Sequence, residues 1–147
     1  MKKFIVFVIM SAFFLCGCMQ TEEIDFADMS GSLTVASERE LSQKDIECDD
    51  SYVIGISEKT YSGCVERAAI FSPDFSSDGF EMTVIKTKNA KDAAIICAEM
   101  ERGYEAPPCD PAENIRFVYD GCYVIRVKGK ASDADRICDE FKVRMHG

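Results

Sequence analysis

Several residue types that build catalytic and metal sites are scarce or absent in this chain. It has no tryptophan and one histidine, His146, which is the second-last residue. Because chain ends are poorly ordered in most domains, neither a Ser-His or Cys-His pair nor a histidine-rich metal site is expected. The chain also has no glycine-rich phosphate loop and no nucleophile elbow. The sequence therefore predicts a protein that is not an enzyme.

Long apolar runs are missing too, apart from one near the start. Met1-Lys2-Lys3 is followed by a mostly apolar stretch, residues 4–15, which is shorter than the roughly 20 residues that a membrane-spanning helix needs. A positive start, a short apolar run and small residues before a cleavage point are the parts of a secretory signal. This signal ends in Leu15-Cys16-Gly17-Cys18, which resembles the bacterial lipobox. The alternative is an ordinary signal that contains a chance cysteine.

The lipobox interpretation predicts the fate of the N-terminus. Residues 1–17 would be removed as a lipoprotein signal peptide, and Cys18 would become the first residue, with a diacylglycerol anchor as its only attached group. Two acyl chains hold a protein stably on a membrane. We therefore expect the chain on the outer, extracytoplasmic face of the cell membrane. Residues 18–35, acidic and rich in small residues, read as a flexible tether, and residues 36–147 as a single domain.

Basic residues are outnumbered by acidic ones, 17 to 26, which gives a net charge of −9. Loss of the signal peptide would remove Lys2 and Lys3 and leave the mature chain more acidic. An acidic chain repels nucleic acid and anionic lipid surfaces, so neither is an expected binding partner. The partners that we expect are the membrane, through the lipid anchor, and an envelope protein or cell-wall component.

Cysteine is abundant, with eight in the chain. Apart from Cys16 and Cys18, the cysteines are Cys48, Cys64, Cys97, Cys109, Cys122 and Cys138. An even number in an exported chain favours disulfides, and the candidate pairs are 48–64, 109–122 and 97–138. The alternative is that several are small buried hydrophobic residues. A second functional hypothesis is a thiol-active or metal-binding envelope protein, although no Cys-x-x-Cys motif follows Cys18.

The hydrophobic pattern predicts alternating strands and helices. A capping box of Ser37 and Glu40 predicts a short helix over 38–46, and residues 52–56 alternate like a strand. Further along, the predicted elements are strands 65–71 and 80–87, a helix between Asn89 and Gly103, strands 115–119 and 122–128 around the turn Asp120-Gly121, and a helix over 132–145.

The two longer helices resemble each other. Residues 90–100 and 131–141 share Ala, Asp, Ala, Ile, Cys and Glu at matching places, with Cys97 matching Cys138, and each helix follows a hairpin. A strand-strand-helix unit used twice most simply makes an α+β fold, in which one antiparallel sheet carries both helices on a single face. The alternative, chance similarity between two amphipathic helices, leaves the predicted order of elements unchanged.

That arrangement leaves the other sheet face without helices. If Tyr123, Ile125 and Val127 face the helices, then Arg126 and Lys128 lie on the opposite face, because side chains alternate along a strand. Two basic residues there contrast with the acidic chain and are suited to a binding partner. The alternative is an ordinary solvated face.

The segment 74–79 has oxygen-bearing residues at alternate positions and a glycine sixth, as calcium loops do. The candidate ligands are Asp74, Ser76, Asp78 and Glu81. The twelfth position falls on Ile85, which cannot bind a cation, so an Asp-Gly hairpin loop without metal is the favoured interpretation.

The chain resembles a family of small Gram-positive lipoproteins that carry a domain of unknown function. The resemblance covers about residues 65–141. It depends on the strand Glu81-x-x-x-x-Lys86 that runs into a Lys91-Asp92-Ala93 helix, and on the hairpin before the last helix. The six cysteines and a short connector after the middle helix depart from the family pattern. The resemblance implies an architecture and a location, and it implies no activity.

Overall fold

The computed structural model describes residues 23–147 of the chain. Its five strands form one antiparallel sheet in the order β1-β2-β3-β5-β4. The elements in chain order are α1 (Phe26–Ser37), β1 (Ser42–Asp45), a 3₁₀ helix (Cys48–Ile54), α2 (Glu58–Cys64), β2 (Val65–Ser72), β3 (Glu81–Thr87), α3 (Ala90–Gly103), β4 (Asn114–Asp120), β5 (Tyr123–Gly129) and α4 (Ala131–His146). The predicted α+β class with an antiparallel sheet is confirmed.

The elements after residue 64 agree with the sequence pattern. Each of the four strands and two helices predicted there is present within two residues of its predicted ends. The β4–β5 hairpin turns through Gly121 at φ 50°, a left-handed conformation that glycine adopts without steric cost. Strong periodicity and clear turn residues therefore predicted this half of the fold.

The predicted elements before residue 57 are wrong. Residues 38–46 are not a helix: α1 ends at Ser37, Glu38 takes a left-handed conformation at φ 56°, and β1 follows. The predicted strand over 52–56 overlaps the end of the 3₁₀ helix instead. Every residue of β1 is exposed, so this strand is held by backbone pairing with β2 and has no apolar pattern that a sequence could reveal.

The predicted flexible tether over 18–35 is also wrong where the structure describes it. Residues 26–35 belong to α1, whose N-terminus is capped by the Asp25 carboxylate, which accepts a hydrogen bond from the amide of Ala27. Phe26, Met29 and Leu33 of this helix are buried. Apolar burial on this scale makes α1 part of the domain, which begins about ten residues earlier than predicted. Residues 18–22 lie outside the described part of the chain.

Helices cover both faces of the sheet, so the predicted single-face arrangement is wrong. On one face, here called the α4 face, α1 and α4 pack over the strands; on the other, the α3 face, α3 packs with the 3₁₀ helix and α2. The α4 face is built around Leu33, Phe71, Met82, Val84, Ile125, Ile137 and Phe141. The α3 face is built around Ile54, Ile56, Ala68, Ile70, Ile85, Ile96, Met100 and Val124.

The central strands explain why both faces are covered. Val84 and Ile85 are neighbours in β3 and point to opposite faces, and both are fully buried. Val124 and Ile125 do the same in β5. A strand with consecutive apolar residues needs cover on both sides. The two similar helices therefore match in sequence while packing on opposite faces.

An ion-pair network joins the end of α1, the β2–β3 loop and the start of α4. Arg39 Nη2 lies 2.6 Å from Asp78 Oδ2 and 2.6 Å from Asp133 Oδ2, and Arg136 adds a 3.0 Å contact to Asp133. The Arg39 guanidinium also stacks over the Phe80 ring at 4.4 Å. The hydrogen bond from Arg39 lowers the pKa of Asp78 to about 2. These contacts fix the loop that carries the predicted calcium ligands.

Candidate functional site

The chain enters the described domain at a defined point. Glu23 Oε1 lies 2.9 Å from Lys86 Nζ, and the Tyr123 hydroxyl donates a 2.7 Å hydrogen bond to the carbonyl of Ile24. Lys86 is near the end of β3 and Tyr123 begins β5, so the N-terminal segment is attached at this end of the sheet. Cys18 lies outside the described residues. Among residues 23–147, no helix is both long and apolar enough to cross a membrane.

All six described cysteines are free thiols, so the predicted disulfides are absent from the structure. Cys97 lies on the α3 face and Cys138 on the α4 face, with the sheet between them. Cys109 lies in the α3–β4 loop, next to Asp110 at the far end of β5, whereas Cys122 precedes the start of β5. The separation is well beyond the roughly 7 Å between Cα atoms that a disulfide permits.

The third predicted pair is also not bonded, and most of the thiols are shielded. Cys48 Sγ contacts the carbonyl of Glu58 at 3.4 Å. Burial raises the pKa of four thiols, which keeps them in the less reactive protonated form: these are Cys64, Cys97, Cys122 and Cys138. Cys109 is the exposed one of the six. The thiol-active hypothesis therefore has little support from the cysteine environments.

The four candidate calcium ligands do not converge on one point. Asp78 is paired with Arg39 and accepts a hydrogen bond from Ser76, and Asp74 accepts one from Ser42. Glu81 pairs with Arg126 on the α3 face. Within the described residues, no group of three or more histidine, cysteine, aspartate or glutamate side chains is arranged to hold a metal ion. Asp78 and Glu81 are bound to guanidinium groups instead, and Asp74 to the Ser42 hydroxyl.

The strongest candidate site is a polar cleft on the α3 face, at the end of the sheet that α3 leaves uncovered. It has a volume of about 350 Å³. We call it the Arg126 cleft; its walls are Tyr52, Val53, Gly55, Glu81, Gly103, Tyr104, Glu105, Pro107, Arg126 and Lys128. Strands β3 and β5 supply the charged floor, the end of α3 and the following loop supply one wall, and the 3₁₀ helix supplies the other.

Two ion pairs form the floor of the Arg126 cleft. Arg126 Nη2 lies 2.6 Å from Glu81 Oε1, and the Arg126 side chain is only 5% exposed. Lys128 Nζ lies 2.8 Å from Asp110 Oδ2, with both side chains largely buried. Glu81 and Lys128 face each other directly in the β3–β5 register. Two cations and two carboxylates are therefore concentrated on one small surface.

Tyr104 connects the two pairs. Its hydroxyl donates a 3.2 Å hydrogen bond to Asp110, and its ring centre lies 6.0 Å from Arg126 Cζ and 5.9 Å from Lys128 Nζ. Burial acts to raise the pKa of Asp110, but Lys128, the amide of Ala112 and the Tyr104 hydroxyl outweigh it, so that pKa is lowered. Burial raises the pKa of Tyr104. Asp110 is thus held ionised and Tyr104 neutral, as hydrogen-bond acceptor and donor.

Three buried polar atoms on this side of the sheet have no hydrogen-bond partner among the described residues. They are Arg126 Nε, Thr83 Oγ1 and Ser51 Oγ. Thr83 is directly opposite Arg126 in the β3–β5 register, and Ser51 lies in the 3₁₀ helix beside the cleft wall. Buried polar atoms nearly always have partners. Of the three residues, Arg126 lines the cleft, so its Nε is the donor that a bound molecule or ordered water there would complete.

Two larger depressions on the described domain lie away from the Arg126 cleft. One, of about 600 Å³, lies between α1 and α4 around Gly31 and Val35; its walls are exposed or half-buried residues with no buried charge. The other, of about 700 Å³, borders Glu23, where the described chain begins. Neither brings buried charged groups together, so the smaller Arg126 cleft has the chemistry of a binding site.

Comparison with known protein families, with curated proteins and with solved structures gave no match. The function of the cleft must therefore be argued from its own residues. The predicted resemblance to Gram-positive lipoproteins stays a prediction.

Part of the site was visible in the sequence. Alternation in β5 placed Arg126 and Lys128 together on the face opposite Tyr123, and the structure confirms that placement. The sequence does not predict the contact of Glu81 with Arg126, since that contact depends on the pairing of β3 with β5. Tyr104 and Asp110 belong to the loop that follows α3. No local signal shows that this loop folds back onto Lys128.

Proposed function

We propose that this chain is a lipoprotein that is anchored through Cys18 on the outer face of the cell membrane, and that it acts by binding a ligand in the Arg126 cleft without catalysis. The observation that carries the proposal is the position of that cleft. The cleft contains the buried and incompletely paired Arg126. It opens at the end of the sheet opposite to the attached N-terminus.

The anchor would hold the domain close to the membrane. Glu23 is the fifth residue after Cys18, and five fully extended residues reach at most about 18 Å. Glu23 is fixed to Lys86 and Ile24 to Tyr123. The end of the sheet formed by the last residues of β3 and the first of β5 would therefore face the lipid surface.

The cleft would then open away from the membrane. Lys128 lies five residues beyond Tyr123 along β5, which is roughly 17 Å at the usual rise of a strand. A ligand or partner outside the membrane could reach Arg126 and Lys128 without passing between the domain and the lipid. Such a position suits an envelope protein or a cell-wall component as partner.

The side chains of the cleft are suited to binding. Its lining residues within the described chain include no cysteine, histidine, serine or threonine, so no thiol, serine or threonine nucleophile and no histidine base contacts the cleft space. What the cleft offers is fixed charge, a tyrosine ring and hydrogen-bonding groups. Sites of this kind fix the orientation of a ligand.

Membrane fractionation with two cysteine variants tests the anchor. Cys18→Ala should abolish incorporation of labelled fatty acid, and the chain should be found either in the soluble fraction or as an uncleaved precursor of larger size. Cys16→Ala is the matched control, because it leaves Cys18 in place behind a small residue, and it should stay membrane-bound and labelled. Labelling that persists in Cys18→Ala would contradict the anchor.

Site-specific photo-cross-linking tests the binding role. A photoreactive residue at Tyr52, 73% exposed on the rim of the cleft, should capture a discrete envelope component in intact cells. The control position is Val143, 62% exposed on α4, which should give no such product. Equal products at both positions, or none at Tyr52 in cells that hold the protein, would contradict a role for the cleft.

A further inference from the structure

We propose that the ligand of the Arg126 cleft is a small zwitterion with one free carboxylate and one free ammonium group, as in an amino acid or a short peptide with free ends. This inference rests on the proposed function, since it assigns a ligand class to the same site. It is carried by the charges of the cleft, by the ion pairs on its floor and by the unpaired edge of Arg126.

The balance of charge disfavours ligands of a single sign. Two cations, Arg126 and Lys128, line the cleft. The carboxylates of Glu81 and Glu105 line it as well. A third carboxylate, Asp110, is outside the lining and pairs with Lys128. A ligand with only negative charge would approach a surface with more carboxylates than cations. A ligand with only positive charge would meet two buried cations. A molecule with both charges avoids either repulsion.

The ion pairs on the floor show how a zwitterion would fit. Arg126 is bound to Glu81 at 2.6 Å. A ligand carboxylate could take a place on Arg126 while the ligand ammonium binds Glu81, so that each buried charge keeps an opposite partner. This exchange avoids the large penalty of leaving a buried charge unpaired. A simple anion that displaced Glu81 would leave its carboxylate without a cation.

Arg126 has an unused donor on the edge that binds carboxylates. Nε and Nη2 form one side of the guanidinium fork, which can hold both oxygens of a carboxylate in parallel hydrogen bonds. Glu81 contacts Nη2, whereas Nε is buried and has no partner among the described residues. Arg126 is 4% exposed, and only one of the two donors on this edge has an acceptor. The edge therefore lacks one hydrogen-bond acceptor, which a ligand could supply.

The size and walls of the cleft limit the ligand to a small one. Its volume of about 350 Å³ is at the lower end of the range for small-molecule sites. The Tyr104 ring lies about equally far from both cations. The Glu105 carboxylate lies at the same wall, where an ammonium group could bind both it and the ring face.

Ligand titrations of the mature chain in detergent micelles test this inference, with amide NMR signals as the readout. The probes are the twenty free amino acids and the dipeptide Ala-Ala. Each probe that binds is compared with its N-acetyl form, which lacks the ammonium, and with its amide form, which lacks the carboxylate. We expect shifts at Gly103, Tyr104, Arg126 and Lys128. Removing either charge should weaken binding at least about tenfold, as loss of a charge-assisted hydrogen bond does.

A conservative variant checks that the zwitterion contacts the proposed groups. Glu81→Gln keeps the shape of the side chain and should weaken zwitterion binding while affecting the N-acetyl form much less. Arg116→Gln, at a β4 position whose partner is Asp135 of α4, is the matched control and should leave both affinities unchanged. An intact amide spectrum of each variant shows that the fold is retained.

The possible outcomes separate this inference from the proposed function. If an N-acetyl or amide form binds as well as its parent, the ligand is not recognised as a zwitterion, although the cleft remains a binding site. If no probe shifts any signal of the cleft, the ligand class is wrong. Cross-linking at Tyr52 and fractionation of Cys18→Ala are independent of these probes and judge the proposed function.

Discussion

Gly55 and Gly103 pack backbone against backbone where the 3₁₀ helix meets the end of α3, on one wall of the Arg126 cleft. A Cβ atom built on Gly103 would lie 2.4 Å from the carbonyl oxygen of Gly55. Gly55 has a left-handed conformation at φ 79° and caps the 3₁₀ helix. This contact brings Tyr52 and Val53 of the 3₁₀ helix up to Tyr104, and so closes the cleft.

The contact predicts that Gly103→Ala lowers the free energy of unfolding. The new methyl group would meet backbone atoms, which cannot move aside as a flexible side chain can. Overpacking of this kind costs about 1–3 kcal/mol of the free energy of unfolding, which should appear as a lower urea midpoint. The tyrosines at the cleft should also shift their NMR signals.

The matched control is Gly31→Ala. Gly31 lies in the interior of α1, and nothing is within 4 Å of a Cβ atom built there. Alanine favours a helix over glycine by about 0.5–1 kcal/mol, so this variant should raise the urea midpoint. Two alanine substitutions that lower stability equally would show that the Gly55–Gly103 contact has no special role.

The half of the fold after residue 64 was predictable because its signals are local. Strands β2 to β5 and helices α3 and α4 each show their own period and turn residues. By contrast, β1 is polar and exposed, and α1 has a mixed sequence with Ser30, Gly31 and Ser32 in it. Met29 and Leu33 bury their side chains in a cluster that α1 forms with the sheet and α4. Tertiary packing, which no local window contains, decides such elements.

Only the part of the site that lies in β5 could be predicted from the sequence. Period-two alternation placed Arg126 and Lys128 on one face. Their partners come from β3 and from the loop after α3, and Asp110 reaches Lys128 across a long stretch of chain. Contacts of that kind depend on strand order and loop packing, which no local sequence pattern specifies. The helix placement failed for a related reason: consecutive apolar residues such as Val84 and Ile85 required two covered faces.

The Arg39–Asp78 pair predicts that stability falls in acid. The pKa of Asp78 is about 2 in the folded chain, against an ordinary value of 3.8. A lowered pKa stabilises the fold above the ordinary value, and that stabilisation is lost as the pH falls through 3.8 toward 2. We expect the wild-type advantage over Asp78→Asn in free energy of unfolding, about 1–2 kcal/mol at pH 6, to shrink to near zero at pH 2.

Urea unfolding at several pH values measures this difference directly. Asp139→Asn serves as the control, since the Asp139 side chain is 76% exposed and lies 3.7 Å from Lys142. Its effect should be small throughout this pH range. A constant difference between wild type and Asp78→Asn from pH 6 to pH 2 would mean that the carboxylate of Asp78 does not interact with Arg39 as described.

The cysteine environments predict the order of alkylation. Cys109 is exposed and should react first in the native chain without reductant. Cys97 and Cys138 are buried, and burial raises their thiol pKa, so they should react only after denaturation. Mass spectrometry of peptides gives the order. Any cysteine that still resists alkylation in denaturant, and reacts once a reductant is added, would indicate a disulfide and contradict the free thiols of the structure.

The Arg126–Glu81 pair predicts strong coupling between two substitutions. Glu81→Met would leave a 4% exposed arginine without its carboxylate, and removing one partner of a buried pair is costly, here about 2–4 kcal/mol of the free energy of unfolding. Arg126→Met leaves Glu81, which is 28% exposed and can turn toward water, so this variant should cost less.

The double variant should be about as stable as Arg126→Met alone, because neither charge is then left unpaired. Urea unfolding of the four proteins gives the coupling energy, which should then equal the cost of Glu81→Met, about 2–4 kcal/mol, against less than about 0.5 kcal/mol for the exposed pair Lys142–Asp139. Equal coupling in the two cycles would mean that Arg126 is hydrated rather than buried, and the cleft would then have no buried, incompletely paired arginine to offer a ligand.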